Sequence, residues 1–82
     1  MNIYEKVLTF FESILIGYEN NLKIDDNENI FESGFVDSYD ALALVVFIEE
    51  EFNIQIVDDD LDLANFMTIN RIVQFVNRKL SN

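Results

Sequence analysis

The chain has 82 residues, half of them hydrophobic, with no Cys, no His and a net charge of -11. This length gives one small domain, residues 1–82, and the apolar content is too high for a disordered acidic tail. The charge excludes nucleic acids and anionic membranes as partners, because both require a basic face. Without Cys the chain has no disulfide framework and no thiolate site.

Composition also bears on catalysis and location. With no His and no evidently paired carboxylates, the chain offers no general acid or base, so we expect no catalytic residue and no enzyme activity of its own. The N-terminus lacks the basic and apolar regions of a signal peptide, and no apolar run approaches membrane-spanning length. We therefore expect a cytoplasmic protein.

The first part of the chain predicts one helix and one long loop. Apolar residues spaced three and four apart predict a helix over residues 2 to about 18, with Asn2 as its N-cap and Gly17 as a weak stop signal. Residues 19–36 show no sustained period and are rich in turn-forming residues. Because this loop is also rich in apolar residues, we expect it to pack back onto the core.

Residues 38–52 predict the second helix. Two apolar faces share this helix, and a short helix in a small domain rarely buries its whole circumference. The second face is therefore either a docking surface or a contact for the preceding loop, and the sequence leaves both open. The predicted core face contains Ala41, Leu44, Val45, Ile48 and Phe52, and the second face contains Tyr39, Leu42 and Val46.

The last third predicts an extended connection, a short helix and a final helix. Residues 53–57 form the connection, Asp58 to Asp60 cap a short helical piece over residues 61–66, and Thr68 is the N-cap of a helix over residues 69–80. The predicted fold is all-α, a small four-helix bundle of three main helices and one short helix with a long first loop. The expected core face of the last helix contains Ile69, Ile72, Val73, Phe75, Val76 and Leu80.

The acidic run Asp58-x-Asp60-x-Asp62 has the first three ligand positions of a calcium-binding EF-hand loop. The sixth position of that loop needs Gly and is Leu63, and the twelfth needs Glu and is Ile69. The run therefore predicts a helix cap and a solvated turn, and we expect no metal site.

The pair Asp37-Ser38 stands at the start of the second helix. Asp37 is placed to act as the N-cap, and Asp40 to reach back to it as in a capping box. This explains both carboxylates and leaves Ser38 unexplained. A phosphate on Ser38 would be favoured by the positive end of the helix dipole, although the flanking carboxylates oppose it. On spacing alone, a cap is the simpler interpretation.

The stretch from Gly34 to Phe52, GFVDSYDALALVVFIEEEF, resembles the core of the acyl carrier protein family, written as G-x-D-S-L-D-x-V-E-L-V-x-x-L-E-E-E-F. The resemblance is gapless from Asp37 to Phe52. It continues into residues 53–58 and into the Thr68-Ile69 pair that opens the last helix, so it covers nearly the whole chain.

The resemblance implies a monomeric carrier with a covalent cofactor. Ser38, flanked by Asp37 in the motif, matches the serine that receives 4′-phosphopantetheine from coenzyme A through a magnesium-dependent phosphopantetheinyl transferase. The thiol of the cofactor then carries an acyl or aminoacyl group as a thioester. A ligase would load that group, and a downstream synthase or transferase would accept it. The positions that match partner-binding ones in the family are Tyr39, Asp40, Leu42, Val46, Glu49 and Glu50.

Departures from the family pattern concern the pathway. Gly34 four residues before the serine, and the aromatic Tyr39 after it, resemble stand-alone aminoacyl and D-alanyl carriers, whereas Asp40 fits the fatty-acid type. Ala43 stands where the family often has Glu. We expect a specialised biosynthetic pathway. The alternatives are fatty-acid synthesis, a D-alanyl carrier, or an unmodified acidic helical adaptor that binds a basic protein.

Overall fold

A computed structural model describes residues 2–14, 25–34 and 36–81, and every structural statement below refers to those ranges. They contain helices and turns and no strand, which confirms the all-α prediction. None of the described helices has the length and apolar character needed to cross a bilayer. The elements in chain order are α1 (Ile3–Ile14), α2 (Ser38–Phe52), a first 3₁₀ turn (Asp58–Asp60), a second 3₁₀ turn (Leu63–Asn65) and α3 (Ile69–Leu80).

Polar side chains fix the helix ends where the sequence predicts them. The Asn2 side-chain oxygen accepts a 2.8 Å hydrogen bond from the Glu5 amide, and the Thr68 hydroxyl oxygen accepts a 3.0 Å bond from the Arg71 amide. Both predicted N-caps are confirmed. The predicted continuation of the first helix over residues 15–18, with its stop at Gly17, lies outside the described residues.

The core lies where α1 contacts both α2 and α3. On α2, the predicted core face is confirmed for Leu44 and Ile48, which are fully buried, whereas Ala41, Val45 and Phe52 are half-buried. Phe10 of α1 stacks on Phe47 of α2 at 4.6 Å between ring centroids, which extends the core at the α1–α2 contact. The buried core consists of Val7, Phe11, Ile30, Val36, Leu44, Ile48, Phe66, Ile69, Ile72, Phe75 and Val76.

Leu80 is the exception on α3. The periodicity predicts it in the core, but its side chain is 49% exposed. Val76, one turn earlier, is the last fully buried residue of the helix, so the final turn extends past the core. The prediction for Leu80 is therefore wrong, because a periodic pattern indicates a face of the helix and not where the neighbouring elements end.

The described part of the first loop, residues 25–34 and Val36, packs onto the core as predicted. Ile30 is fully buried and its amide donates to the carbonyl of Met67 at 2.9 Å, while the Val36 amide donates to the Ile30 carbonyl at 3.2 Å. Gly34 has a φ of 83°, a left-handed conformation that glycine adopts without strain. The remainder of this loop, residues 19–24 and 35, lies outside the described ranges.

A hydrogen bond also ties this loop to α1. The Tyr4 hydroxyl donates to a carboxylate oxygen of Asp26 at 2.8 Å. This bond raises the pKa of Tyr4, with smaller contributions from desolvation and from the charge of Asp26. The phenol therefore stays protonated, and remains a donor, at neutral pH.

The predicted short helix over residues 61–66 is instead two separate 3₁₀ turns. Asp58 to Asp60 do not cap that helix but form the first turn themselves, and the carboxylate of Asp62 caps the second by accepting from the Ala64 amide at 3.0 Å. Acidic residues here satisfy nearby amides locally, which favours short turns over one continuous helix.

We expect Ile30→Ala to lower the free energy of unfolding by about 2–5 kcal/mol, because the truncation leaves a cavity under the loop. The control is Val57→Ala at a position that is 46% exposed, where the change should stay within about 0.5 kcal/mol. Urea unfolding of both variants measures the difference. Equal effects would mean that the loop contributes little to the core.

Candidate functional site

The start of α2 is fixed by a capping box between two carboxylates. Asp37 accepts a hydrogen bond from the Asp40 amide at 2.9 Å, and Asp40 accepts one from the Asp37 amide at 3.4 Å. The backbone of Asp37 is extended, so the helix begins abruptly at the next residue. The predicted capping role of this pair is confirmed, and Asp40 lies half-buried beside it.

Ser38 is the first residue of α2, and it is exposed. The cap is made by its neighbours, so the Ser38 hydroxyl has no part in that hydrogen-bond pair. The amides of the first helical turn and the helix dipole make this end of α2 a favourable place for a phosphate.

An open groove with a volume of about 610 Å³ adjoins Ser38. The wall on one side comes from α2, and the wall on the other comes from the connection between α2 and α3, through Leu61 and Leu63. Only Asp37, Ser38 and Asp62 among the lining residues are polar. The apolar lining consists of Phe31, Val36, Ala41, Leu42, Leu44, Val45, Leu61, Leu63 and Phe66.

The sequence does not reveal this groove. One signal was present: Leu61 and Leu63 are apolar residues within an acidic run, and they are 57% and 55% exposed. A predicted short helix does not indicate that these two residues lie opposite α2, because the position of one wall relative to the other depends on tertiary packing.

The second apolar face of α2 is exposed. Tyr39, Leu42 and Val46 are 79%, 63% and 44% exposed, so the loop residues that the structure describes, 25–34 and 36, do not cover them. This exposure speaks against the loop contact, and the docking surface stays a prediction. Leu42 also lines the groove, so the groove and this face adjoin each other.

The two predicted partner-binding glutamates differ in their surroundings. Glu49 is half-buried, and its carboxylate accepts a hydrogen bond from the Ile56 amide at 2.9 Å, which holds the extended connection against α2. Glu50 is exposed. Glu49 therefore has a structural contact that Glu50 does not duplicate.

The connection that forms one groove wall is held by Asp60. Its carboxylate accepts from Lys79 at 2.7 Å and from the Val57 amide at 3.0 Å. The Lys79 bond, followed by the Val57 bond, lowers the pKa of Asp60 below its ordinary value. Asp60 therefore stays charged at neutral pH, and this member of the acidic run is a hydrogen-bonded anchor.

The site fits the phosphopantetheinyl group that the resemblance implies. The Ser38 hydroxyl is accessible to a modifying enzyme, and the positive end of α2 favours the phosphate that would be attached there. The adjoining groove has room for an apolar group beside the point of attachment.

Comparison with known proteins agrees with this geometry. Residues 9–76 match the family described as "Phosphopantetheine attachment site". The chain is 30% identical to the acyl carrier protein of Buchnera aphidicola subsp. Schizaphis graminum over 81 residues, 95% of this chain and 94% of the relative. It is 27% identical to the D-alanyl carrier protein of Streptococcus uberis over 76 residues, 93% of this chain and 92% of the relative. This 82-residue chain therefore belongs to the phosphopantetheine-attachment family of carrier proteins.

Proposed function

We propose that this protein carries an acyl group as a thioester on 4′-phosphopantetheine attached to Ser38, and presents that group to partner enzymes. The observation that carries this proposal is Ser38 itself: an exposed hydroxyl at the capped start of α2, beside an apolar groove, within a chain of the attachment family.

The residues of this chain position the serine and line the groove beside it, and the cofactor and partner enzymes supply the reactive groups. When bound, the cofactor supplies the thiol that a chain without Cys lacks. Asp37 and Asp40 fix the point where α2 begins, so the backbone of the serine is held at the first position of the helix. The chain acts as a non-catalytic carrier, and a separate transferase attaches the cofactor.

The apolar groove favours an acyl cargo over an aminoacyl cargo. Nine of its twelve lining residues are apolar, and each CH₂ group moved from water into such a place contributes about 0.8 kcal/mol. The ammonium group of an aminoacyl cargo would lose its hydration there without a buried partner. The proposed cargo is therefore a medium-length acyl chain, in a specialised pathway or in fatty-acid synthesis.

Partner enzymes would dock on α2. The exposed face made by Tyr39, Leu42 and Val46 offers apolar contact, and Glu50 adds exposed negative charge at its far end. Partners with a basic groove would be steered by this charge and held briefly by the apolar face. The competing proposal, an unmodified acidic adaptor, uses the same face and leaves Ser38 without a role.

Ser38→Ala should abolish attachment and leave the fold intact, because the cap belongs to Asp37 and Asp40. The test is an intact mass after incubation with coenzyme A, magnesium and a broad-specificity phosphopantetheinyl transferase. The control is Ser33→Ala, which removes a second exposed serine and should still gain one phosphopantetheinyl group. If the wild type gained no mass while a known carrier did, the adaptor proposal would replace this one.

An octanoyl group loaded on Ser38 should stabilise the protein by roughly 1–3 kcal/mol relative to an acetyl group, because only the longer chain reaches into the groove. For a domain of this size, that difference raises Tm by about 4–8 °C per kcal/mol. Calorimetry of the two loaded forms measures it. Equal Tm values would place the cargo outside the groove and favour a small aminoacyl cargo.

Glu50→Lys should slow attachment about two- to tenfold at low ionic strength, because a docking charge is reversed. The difference should shrink as salt rises, since exposed charges are screened over about 10 Å at 0.1 M. The control is Glu12→Lys, an exposed residue of α1 with the same change in net charge. Equal slowing of both variants would indicate a general charge effect and no docking at this face.

A further inference from the structure

The connection between α2 and α3 carries a concentration of negative charge. Four of five successive residues are acidic in the run Asp58-Asp59-Asp60-Leu61-Asp62. Like charges this close repel one another, and the repulsion favours a more open conformation of the segment. The one apolar residue of the run, Leu61, lines the groove beside Ser38, so any opening of this segment also moves a groove wall.

Two of the chain's five cationic residues lie in the last turn of α3, and one of them, Lys79, contacts the acidic run directly. The ammonium group of Lys79 lies 2.7 Å from the carboxylate of Asp60, and these side chains are only 22% and 18% exposed. By comparison, the Lys6–Glu51 pair between α1 and α2 is longer, at 3.2 Å, and its side chains are 34% and 42% exposed. The Lys79 pair is therefore the less screened of the two.

Arg78 reinforces the same contact through Asn65. Its guanidinium donates to the side-chain oxygen of Asn65 at 3.0 Å, and the side-chain amide of Asn65 donates to the carbonyl of Asp60 at 2.8 Å. The guanidinium also lies 5.7 Å from the centroid of the Phe75 ring, which packs against Phe66 of the groove. Lys79 thus contacts Asp60 and Arg78 contacts Asn65, so the two cations hold both ends of the span from Asp60 to Asn65.

We propose that Lys79 and Arg78 form a latch that positions the groove wall made by Leu61 and Leu63. They are positioning residues, since they act on the groove through Asp60 and Asn65 and line none of it themselves. The consequence for cargo rests on the proposed carrier function, but the latch is a property of the unmodified chain. Without it, the unpaired carboxylates move the wall away from α2.

Amide hydrogen exchange of the unmodified protein tests the latch, with NMR resolving single residues. In the connection over residues 58–66, called the segment below, four amides donate to backbone carbonyls of the same connection: those of Leu61, Asp62, Asn65 and Phe66. In Lys79→Met their exchange should accelerate about three- to tenfold, while the core amides of α2, from Leu44 to Ile48, change by less than about twofold. The control Lys6→Met removes the other ion pair and should leave the segment unchanged.

Two further variants separate the latch from a general loss of stability. Lys79→Arg keeps the charge and should restore slow exchange. Asp60→Asn keeps a side-chain oxygen for the Val57 amide and removes only the charge, so adding Lys79→Met to it should accelerate exchange little further. Uniform acceleration across α2 and the segment, or no acceleration in Lys79→Met, would overturn the proposal. A failure of Ser38 to accept phosphopantetheine would overturn the carrier function and leave the exchange result standing.

Discussion

The constraint on which this structure depends is that α2 is apolar on more than one face, whereas a bundle of this size covers only one of them. Leu44 and Ile48 take the buried positions against the core. Tyr39, Leu42 and Val46 remain in water, at a cost that grows with the apolar area left exposed. The carboxylate pair Asp37–Asp40 caps the N-terminus of this helix and offsets part of that cost.

The charge distribution answers a second constraint. A chain of net charge -11 is destabilised by self-repulsion, so where its few cations lie matters more than in a balanced protein. Lys6 connects α1 to α2, and Lys79 connects α3 to the segment before it. The first contact joins helices that are distant in the chain, and the second places a cation beside the most acidic run. Most of the remaining carboxylates in the described ranges are exposed, where they add negative charge to the surface.

The sequence predicts the helices whose ends are fixed by local interactions. It does not predict features that depend on packing between distant residues, or elements too short to show a period. The bounds of α2 and α3 were predictable because Asp37 and Thr68 cap them within four residues and a regular apolar period follows. Residues 61–66 were not, because six residues are too few to distinguish a helix from 3₁₀ turns by period. Acidic side chains that accept from nearby amides favour short turns here, and the bond between Asp60 and Lys79, nineteen positions apart, holds the first turn against α3. The groove depends on how this connection packs against α2, so the sequence does not predict it either.

One residue connects the two surfaces that a carrier needs. Leu42 is 63% exposed on the face proposed for docking, and it also lines the groove beside Ser38. A group that fills the groove would therefore contact the same side chain that this face presents to solvent. Under the proposed function, a partner resting on this face would contact a side chain that also borders the cargo.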